Sequence, residues 1–119
     1  MVMRQALLLL PLLAAACAGG DAANPAATLG CSGEVRLRNI GPMAVEQAYF
    51  SASGPANWGP DLLTPTDIPA GGDRTVMATP GRNAVRIVFA NGRAAEMAGM
   101  DVCTTPTLSI SPTELIASR

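Results

Sequence analysis

Beyond its N-terminal segment, the chain alternates apolar and polar side chains in short runs that glycine, proline, asparagine and aspartate separate. Between residues 33 and 39, Val35 and Leu37 would face one side while Glu34 and Arg36 face the other. This period of two is typical of half-buried β-strands, and no helical period is sustained. The pattern predicts an all-β domain, a small antiparallel β-sandwich of about six to eight short strands.

The predicted strands are separated by turns, and one long loop interrupts them. The strands are expected at residues 33–39, 45–53, 74–79, 83–89, 93–97, 100–104 and 107–111. The long loop covers residues 53–69. The β-sandwich domain is thus assigned to residues 31–112, and the C-terminal tail, residues 113–119, is expected to fray.

An Asn-Gly pair, Asn91-Gly92, gives the clearest hairpin signal in the chain. A two-residue loop would place Glu96 on the apolar face of the hairpin and bury its charge. A three-residue loop with a left-handed glycine instead places Glu96 opposite Arg86 on the polar face. We therefore predict a loop of residues 90–92.

The N-terminal segment, residues 1–16, has the three-part layout of a signal peptide. Arg4 supplies a positive start, residues 7–13 form an apolar run, and three alanines lead to Cys17. The apolar run is too short to cross the ~30 Å of membrane hydrocarbon as a helix. Residues 17–30 are rich in alanine and glycine and predict a flexible linker.

The segment Leu13-Ala14-Ala15-Ala16-Cys17 resembles a bacterial lipobox, whose cysteine is acylated and becomes the first residue of the mature protein. The resemblance implies that Cys17 anchors the protein to a membrane of the cell envelope. Ala18 then favours the outer membrane, because an aspartate at that position is the usual inner-membrane retention signal. Leu13 stands one position before the preferred place of the lipobox leucine. The alternatives are cleavage after an Ala-x-Ala site, which would give a soluble periplasmic protein, and an uncleaved anchor.

Composition argues against several classes of function. The net charge of −1 and the lack of a basic patch argue against nucleic-acid binding. Because histidine is absent, the chain lacks the usual general base, the commonest metal ligand and any Ser/His or Cys/His pair. We therefore expect no enzymatic activity, no metal and no cofactor. An enzyme that uses carboxylates alone is the remaining alternative.

Assigning Cys17 to a lipid leaves Cys31 and Cys103, and an even pair in an exported domain predicts a disulfide. A bridge closing so long a loop contributes about 4 kcal/mol in the chain-entropy model. The alternatives are a reactive thiol and a metal site, although two cysteines without histidine are too few for a typical zinc site.

The long loop carries the candidate ligand-binding residues, Trp58 and Asp61. Trp58 is a candidate platform for a sugar ring or a protein partner; its apolar neighbours favour the alternative, in which it plugs one end of the sandwich. Asp61 is a candidate calcium ligand with Asp67 or Asp73. The scattered carboxylates favour the alternative that it caps backbone amides. A glycosidase pair of Asp61 and Asp101 is weaker, because nothing indicates a cleft between them.

Five further residues are interpreted structurally. Arg36, Arg38 and Arg86 are expected on a solvated sheet face, with a polar partner or lipid headgroups as the alternative. Met97 and Met100 are predicted to pack in the core, because two methionines without histidine make a poor copper site.

The domain is also similar to a family of small exported proteobacterial proteins, over roughly residues 35–110. In that family a strand with a Ser-rich turn leads to a W-G-x-D-L-L block, followed by an x-P-x-G turn, a D/N-G hairpin and a D-x-C segment. The corresponding segments here are residues 51–54, 58–63, 68–71, 91–92 and 101–103. The resemblance implies export and a β-rich fold, and it carries no mechanism. Family members usually have a cysteine where Arg82 and Asn83 stand, so Cys31 is the expected replacement partner of Cys103.

These observations predict a non-enzymatic envelope lipoprotein that binds a protein or an envelope glycan through the loop around Trp58. The first alternative is a purely structural or assembly accessory of the cell envelope. The second is a soluble secreted periplasmic β-sandwich protein.

Overall fold

The computed structural model describes residues 30–119. The predicted signal peptide, the predicted lipidation site Cys17 and all but the last residue of the predicted linker lie outside the described residues. No helix in residues 30–119 has the length and apolar character needed to cross a membrane.

Seven strands form two sheets packed as a small β-sandwich, which confirms the predicted all-β fold. The strands are β1 (Glu34–Asn39), β2 (Val45–Ser51), β3 (Asp73–Met77), β4 (Arg82–Phe89), β5 (Ala94–Asp101), β6 (Thr107–Ile110) and β7 (Leu115–Ser118). The large sheet has the order β3-β1-β6-β7, and the small sheet has the order β2-β4-β5. Strands β1 and β6 run parallel, a pairing that the antiparallel prediction did not contain.

The core lies between the sheets, where the alternation of side chains predicts it. Val35 and Leu37 of β1 are completely buried, while Glu34 and Arg36 point away. Full burial of each such aliphatic side chain contributes roughly 1.5–3 kcal/mol. The other buried aliphatic and aromatic side chains on strands include Val45, Val76, Val85, Ile87, Phe89, Leu108 and Ile110.

Both methionines interpreted as core residues pack there. Met100 is 3% exposed and belongs to the core, and Met97 packs against it while remaining half-buried. The prediction for these two residues is therefore confirmed.

The β4–β5 hairpin has the predicted three-residue loop. Arg86 lies opposite Glu96, and the two side chains form an ion pair. The amide of Gly92 donates to the carbonyl of Phe89 at 2.8 Å, and Gly92 has a φ of 85°. The hairpin register predicted from keeping the Glu96 charge off the apolar face is therefore confirmed.

Strand β5 is longer than predicted, because a β-bulge joins two segments that the sequence pattern separated. Asn83 lies opposite Met100 and Val85 opposite Met97, so β5 holds one extra residue between these pairs. Gly99 takes a φ of 64° within this bulge. The strand therefore continues through the predicted break at residues 98–99.

The C-terminal segment also differs from the expectation of a frayed tail. Leu115 lies opposite Ile110 in an antiparallel pairing of β7 with β6. The Ser111 hydroxyl lies 3.3 Å from the carbonyl oxygen of Glu114 and helps to close the turn. Leu115 packs against the core, so burial of this side chain helps to hold the last strand in place.

Cys31 and Cys103 form the predicted disulfide, with 5.5 Å between their Cα atoms. Cys31 precedes β1 of the large sheet, and Cys103 lies in the turn after β5 of the small sheet. The bridge therefore ties the two sheets together at one end of the sandwich.

Asn39, the last residue of β1, is 1% exposed and joins three chain segments. Its side-chain Nδ2 lies 2.8 Å from the carbonyl oxygen of Met43 and 3.1 Å from that of Ile68. Its Oδ1 accepts the amide of Gly41 at 3.1 Å. These bonds fix both the β1–β2 turn and the end of the long loop, a role that the sequence analysis did not identify.

Candidate functional site

The candidate site lies on the outer face of the small sheet, the face directed away from the core. Tyr49 of β2, Arg86 of β4 and Glu96 of β5 lie side by side there. Two residues further along the same face, Ser51 lies opposite Ala84. The long loop leaves β2 at Ser51, and its first part lies over this face.

Ser51 holds the first part of the long loop. Its hydroxyl is 2.7 Å from each of the carbonyl oxygens of Gly54 and Asn57, and it can donate to one of them at a time. Ser51 is 5% exposed, so these contacts are shielded from water. The backbone immediately before Trp58 is thereby fixed to the sheet.

Asp61 holds the loop on the other side of Trp58. One carboxylate oxygen, Oδ1, accepts the amide of Ala48 at 3.0 Å and the amide of Leu63 at 2.9 Å. The amide of Leu62 donates to the carbonyl of Ala48 at 2.9 Å. Asp61 therefore has the predicted capping role, and it also attaches the loop to the open edge of β2.

The calcium alternative for Asp61 has no support among the described residues. In residues 30–119 no three carboxylate, cysteine or histidine side chains come together as a metal site. Asp73 lies on the large sheet, where it pairs with Arg36, and Arg38 Nε lies 3.8 Å from its Oδ1.

The arginine side chains Arg36, Arg38 and Arg86 lie on solvated sheet faces, as expected, although they belong to different sheets. The first two belong to the large sheet, whereas Arg86 belongs to the small sheet and pairs with Glu96. These ion pairs are solvent-exposed, and each therefore contributes about 1 kcal/mol or less.

Trp58 does not plug the end of the sandwich, so that interpretation is wrong. Its ring is half-buried outside the core, and its centroid lies 6.4 Å from that of Tyr49 at an interplanar angle of 53°. Leu63, which is 1% exposed, enters the core instead. The chain reaches the core only after Asp61 has attached it to β2, whereas Trp58 precedes that attachment.

A cleft of about 390 Å³ at the hairpin end is larger than the recess beside Trp58. Its wall is built mainly from turn residues, and its aromatic lining residue, Phe89, is 2% exposed. Almost none of that ring is available to a ligand, so we prefer the recess beside Trp58 as the candidate site.

The recess beside Trp58, called here the Trp58 cleft, has a volume of about 270 Å³. It is lined by Pro55, Trp58, Ala84, Glu96, Met97 and Ala98. Because alanine side chains are small, Ala84 of β4 and Ala98 of β5 leave open space beside the indole ring. The cleft thus combines an aromatic wall, a small-residue floor and the Arg86–Glu96 ion pair at its rim.

A second recess of about 240 Å³ continues from the Trp58 cleft. It shares Pro55, Ala84 and Ala98 with the cleft and extends to Arg82 and Asn83. The two recesses together form one shallow groove across β4 and β5.

Comparison of the chain with protein-family models, with curated proteins and with solved structures finds no match. Of the site residues, sequence analysis identified Trp58 and Asp61, and their role in a ligand loop stays a prediction. It missed Ser51 and Tyr49. The polar loop after Ser51 was the available signal for an anchoring hydroxyl, and the outward position of Tyr49 followed from strand alternation.

Proposed function

We propose that this protein is a non-enzymatic, lipid-anchored protein of the cell envelope that binds a ligand at the Trp58 cleft. One observation carries the proposal: the chain fixes the backbone on both sides of Trp58 yet keeps the ring out of the core. A large aromatic side chain usually stabilises a small domain by burial in the core, whereas a ring held rigidly beside a cleft is suited to contact a ligand.

Export and lipid anchoring are supported by the signal-peptide layout and by the resemblance to a lipobox. The Cys31–Cys103 disulfide is consistent with an oxidising compartment such as the periplasm. The anchor would hold the domain at the periplasmic side of a membrane, for which the outer membrane is our proposal.

The chemistry of the carboxylates supports a binding role rather than catalysis. Asp61 Oδ1 already accepts two backbone amides, and Glu96 is paired with Arg86. A general acid or base needs a carboxyl group that can exchange its proton with a substrate. Neither of these side chains is poised for that exchange.

A purely structural or assembly role is the second candidate, and the outer edge of β5 favours it. Within residues 30–119, β5 pairs with β4 alone, so its other edge is open to a strand of another chain. Under this alternative, Trp58 would only cover the sheet.

Metabolic labelling with palmitate tests the anchor. We expect label in the wild-type protein and none in Cys17→Ser, with the wild type in the membrane fraction. An unlabelled wild-type protein that is soluble in the periplasm would overturn the lipid anchor.

Collisional quenching tests the binding site, because Trp58 is the only tryptophan in the chain. We expect acrylamide to quench its emission substantially in the folded protein. Emission that stays blue-shifted and resists quenching would place the ring beyond the reach of a ligand, and it would leave the structural role as the better explanation.

A further inference from the structure

We infer that the groove formed by the Trp58 cleft and the second recess binds uncharged sugar rings of a glycan. This inference rests on the proposed function and names its ligand class. Three features of the described residues carry it: the aromatic corner, the size of the recesses and the balanced polar rim of the Trp58 cleft.

The aromatic corner consists of Tyr49 and Trp58. The chain has four aromatic residues, and the other two, Phe50 and Phe89, pack against or within the core. Trp58 lines the groove, and Tyr49 lies beside it on the outer face, tilted at 53° rather than stacked face to face. The negative face of an aromatic ring attracts the weakly positive C–H groups of a pyranose, which are apolar enough to leave water.

The size of the groove suits single rings in a row. Its two recesses measure about 270 and 240 Å³, each below the roughly 300–1,000 Å³ of pockets that enclose drug-sized molecules. They share a floor at Ala84 and Ala98, so a chain of rings can occupy both. A shallow groove of this kind fits an oligosaccharide lying along the surface.

The rim of the Trp58 cleft is polar and electrically balanced, whereas the second recess also carries Arg82, whose Nη1 donates to the carbonyl oxygen of Gly99 at 3.2 Å. The Arg86–Glu96 ion pair supplies donor and acceptor atoms, held in place by their mutual contact. A phosphate, sulfate or carboxylate would have to compete with Glu96 for the Arg86 guanidinium. Hydroxyl groups, which donate and accept, can bind both side chains without breaking the pair.

A protein partner is less consistent with this face. The large apolar side chains most exposed in residues 30–119 are Ile40, Met77 and Ile116. All three lie in or directly after strands of the large sheet, and none lines the groove. A protein interface would be expected to use such side chains in its centre.

Titration of the Trp58 fluorescence tests the inference on the full-length mature chain carrying Cys17→Ser. The probes are chitotetraose, cellotetraose, a heparin-derived sulfated tetrasaccharide and a proline-rich decapeptide. We expect a saturable change with at least one uncharged tetrasaccharide, weaker binding of the corresponding monosaccharide, and no saturation with the sulfated probe or the peptide.

A matched pair of variants locates the binding site. Ala98→Leu fills the floor that both recesses share, and we expect it to weaken tetrasaccharide binding roughly tenfold or more. Ala94→Leu makes the same change on the same exposed strand outside the groove. We expect it to bind like the wild type. Equal binding by both variants would overturn the assignment of the groove.

Glu96→Gln tests whether the Arg86–Glu96 ion pair disfavours anionic ligands. The substitution keeps the side-chain shape and frees Arg86 from its partner. We expect this variant to gain affinity for the sulfated tetrasaccharide, with little change in unfolding temperature. No gain would contradict the role given to the ion pair.

The remaining outcomes separate this inference from the proposed function. A quenchable Trp58 that ignores every sugar but binds the peptide or the sulfated probe, with loss in Ala98→Leu, would overturn the sugar class and keep the binding role. A Trp58 that cannot be quenched would overturn both.

Discussion

The long loop has two halves that differ in almost every physical respect. Residues 52–60 lie over the outer face of the small sheet and present Trp58 half-buried at a cleft. Residues 61–72 instead deliver Leu63 and Ile68, each 1% exposed, to the core. An isolated bridge between Ile68 and Val45 attaches the second half to the edge of β2.

The difference shows that the place of attachment, and not hydrophobicity alone, decides where an apolar side chain goes. Asp61 binds the edge of β2 at the boundary between the two halves. After Asp61 the chain runs beside the small sheet, so Leu63 can enter the core. Before Asp61 the chain runs over the outer face of the sheet. Mutations in the two halves should therefore separate stability from binding.

The largest expected effect comes from Leu63→Ala in the core half. Removing a fully buried leucine side chain should lower the free energy of unfolding by about 2–5 kcal/mol, through lost burial and the cavity left behind. Urea denaturation of the purified domain measures this value. Leu62→Ala is the matched control, because Leu62 is only half-buried and should cost clearly less. Equal losses of unfolding free energy in Leu63→Ala and Leu62→Ala would contradict the different burial of the two leucines.

Asn39→Ala should have the next largest effect, because it leaves buried carbonyl and amide groups without partners. We expect a loss of roughly 2–4 kcal/mol, from about 1–3 kcal/mol for each unpaired buried group and partial relaxation of the rest. Thermal unfolding followed by circular dichroism measures the loss. Asn57→Ala, at an exposed position, should stay within about 0.5 kcal/mol of the wild type. A similar shift in both variants would contradict the role of Asn39.

Asp61→Ala removes the attachment between the halves and should cost about 1–2 kcal/mol, as loss of a capping carboxylate does. It should also loosen Trp58, so acrylamide quenching of the indole should increase. Asp67→Ala, an exposed aspartate in the same loop, is the control and should change neither quantity. Unchanged quenching in Asp61→Ala would show that Ser51 alone positions the ring.

Trp58→Ala should have the smallest effect on stability, about 1 kcal/mol or less, because the ring is outside the core. The same substitution should abolish ligand binding at the cleft, measured by calorimetry because the fluorophore is lost. A destabilisation comparable to that of Leu63→Ala would mean that the ring supports the fold.

Much of the fold follows from local pattern. Strand alternation located the core, and the conflict between Glu96 and the apolar face fixed the hairpin register. The even pair of cysteines predicted the disulfide. These features depend on residues close in sequence or on simple pairing, so the sequence contains them directly.

Features that depend on distant segments were missed. The parallel pairing of β1 with β6 arises because the chain crosses between sheets after β5, which no local pattern records. Strand β7 has little alternation of its own and is held by β6. Trp58 was misplaced because the sequence does not state on which side of a sheet a loop will lie.

The disulfide also determines how mechanical tension would travel through the protein. A pull on the chain ahead of Cys31 passes across the bridge to Cys103, in the turn that follows β5. It therefore does not peel β1 away from β3 and β6 one hydrogen bond at a time. A ligand held at the Trp58 cleft would bear on Glu96 and Ala98 of that same strand. The load between anchor and ligand would therefore run lengthwise through the covalent backbone of β5, and the hydrogen bonds of β1 would not bear it.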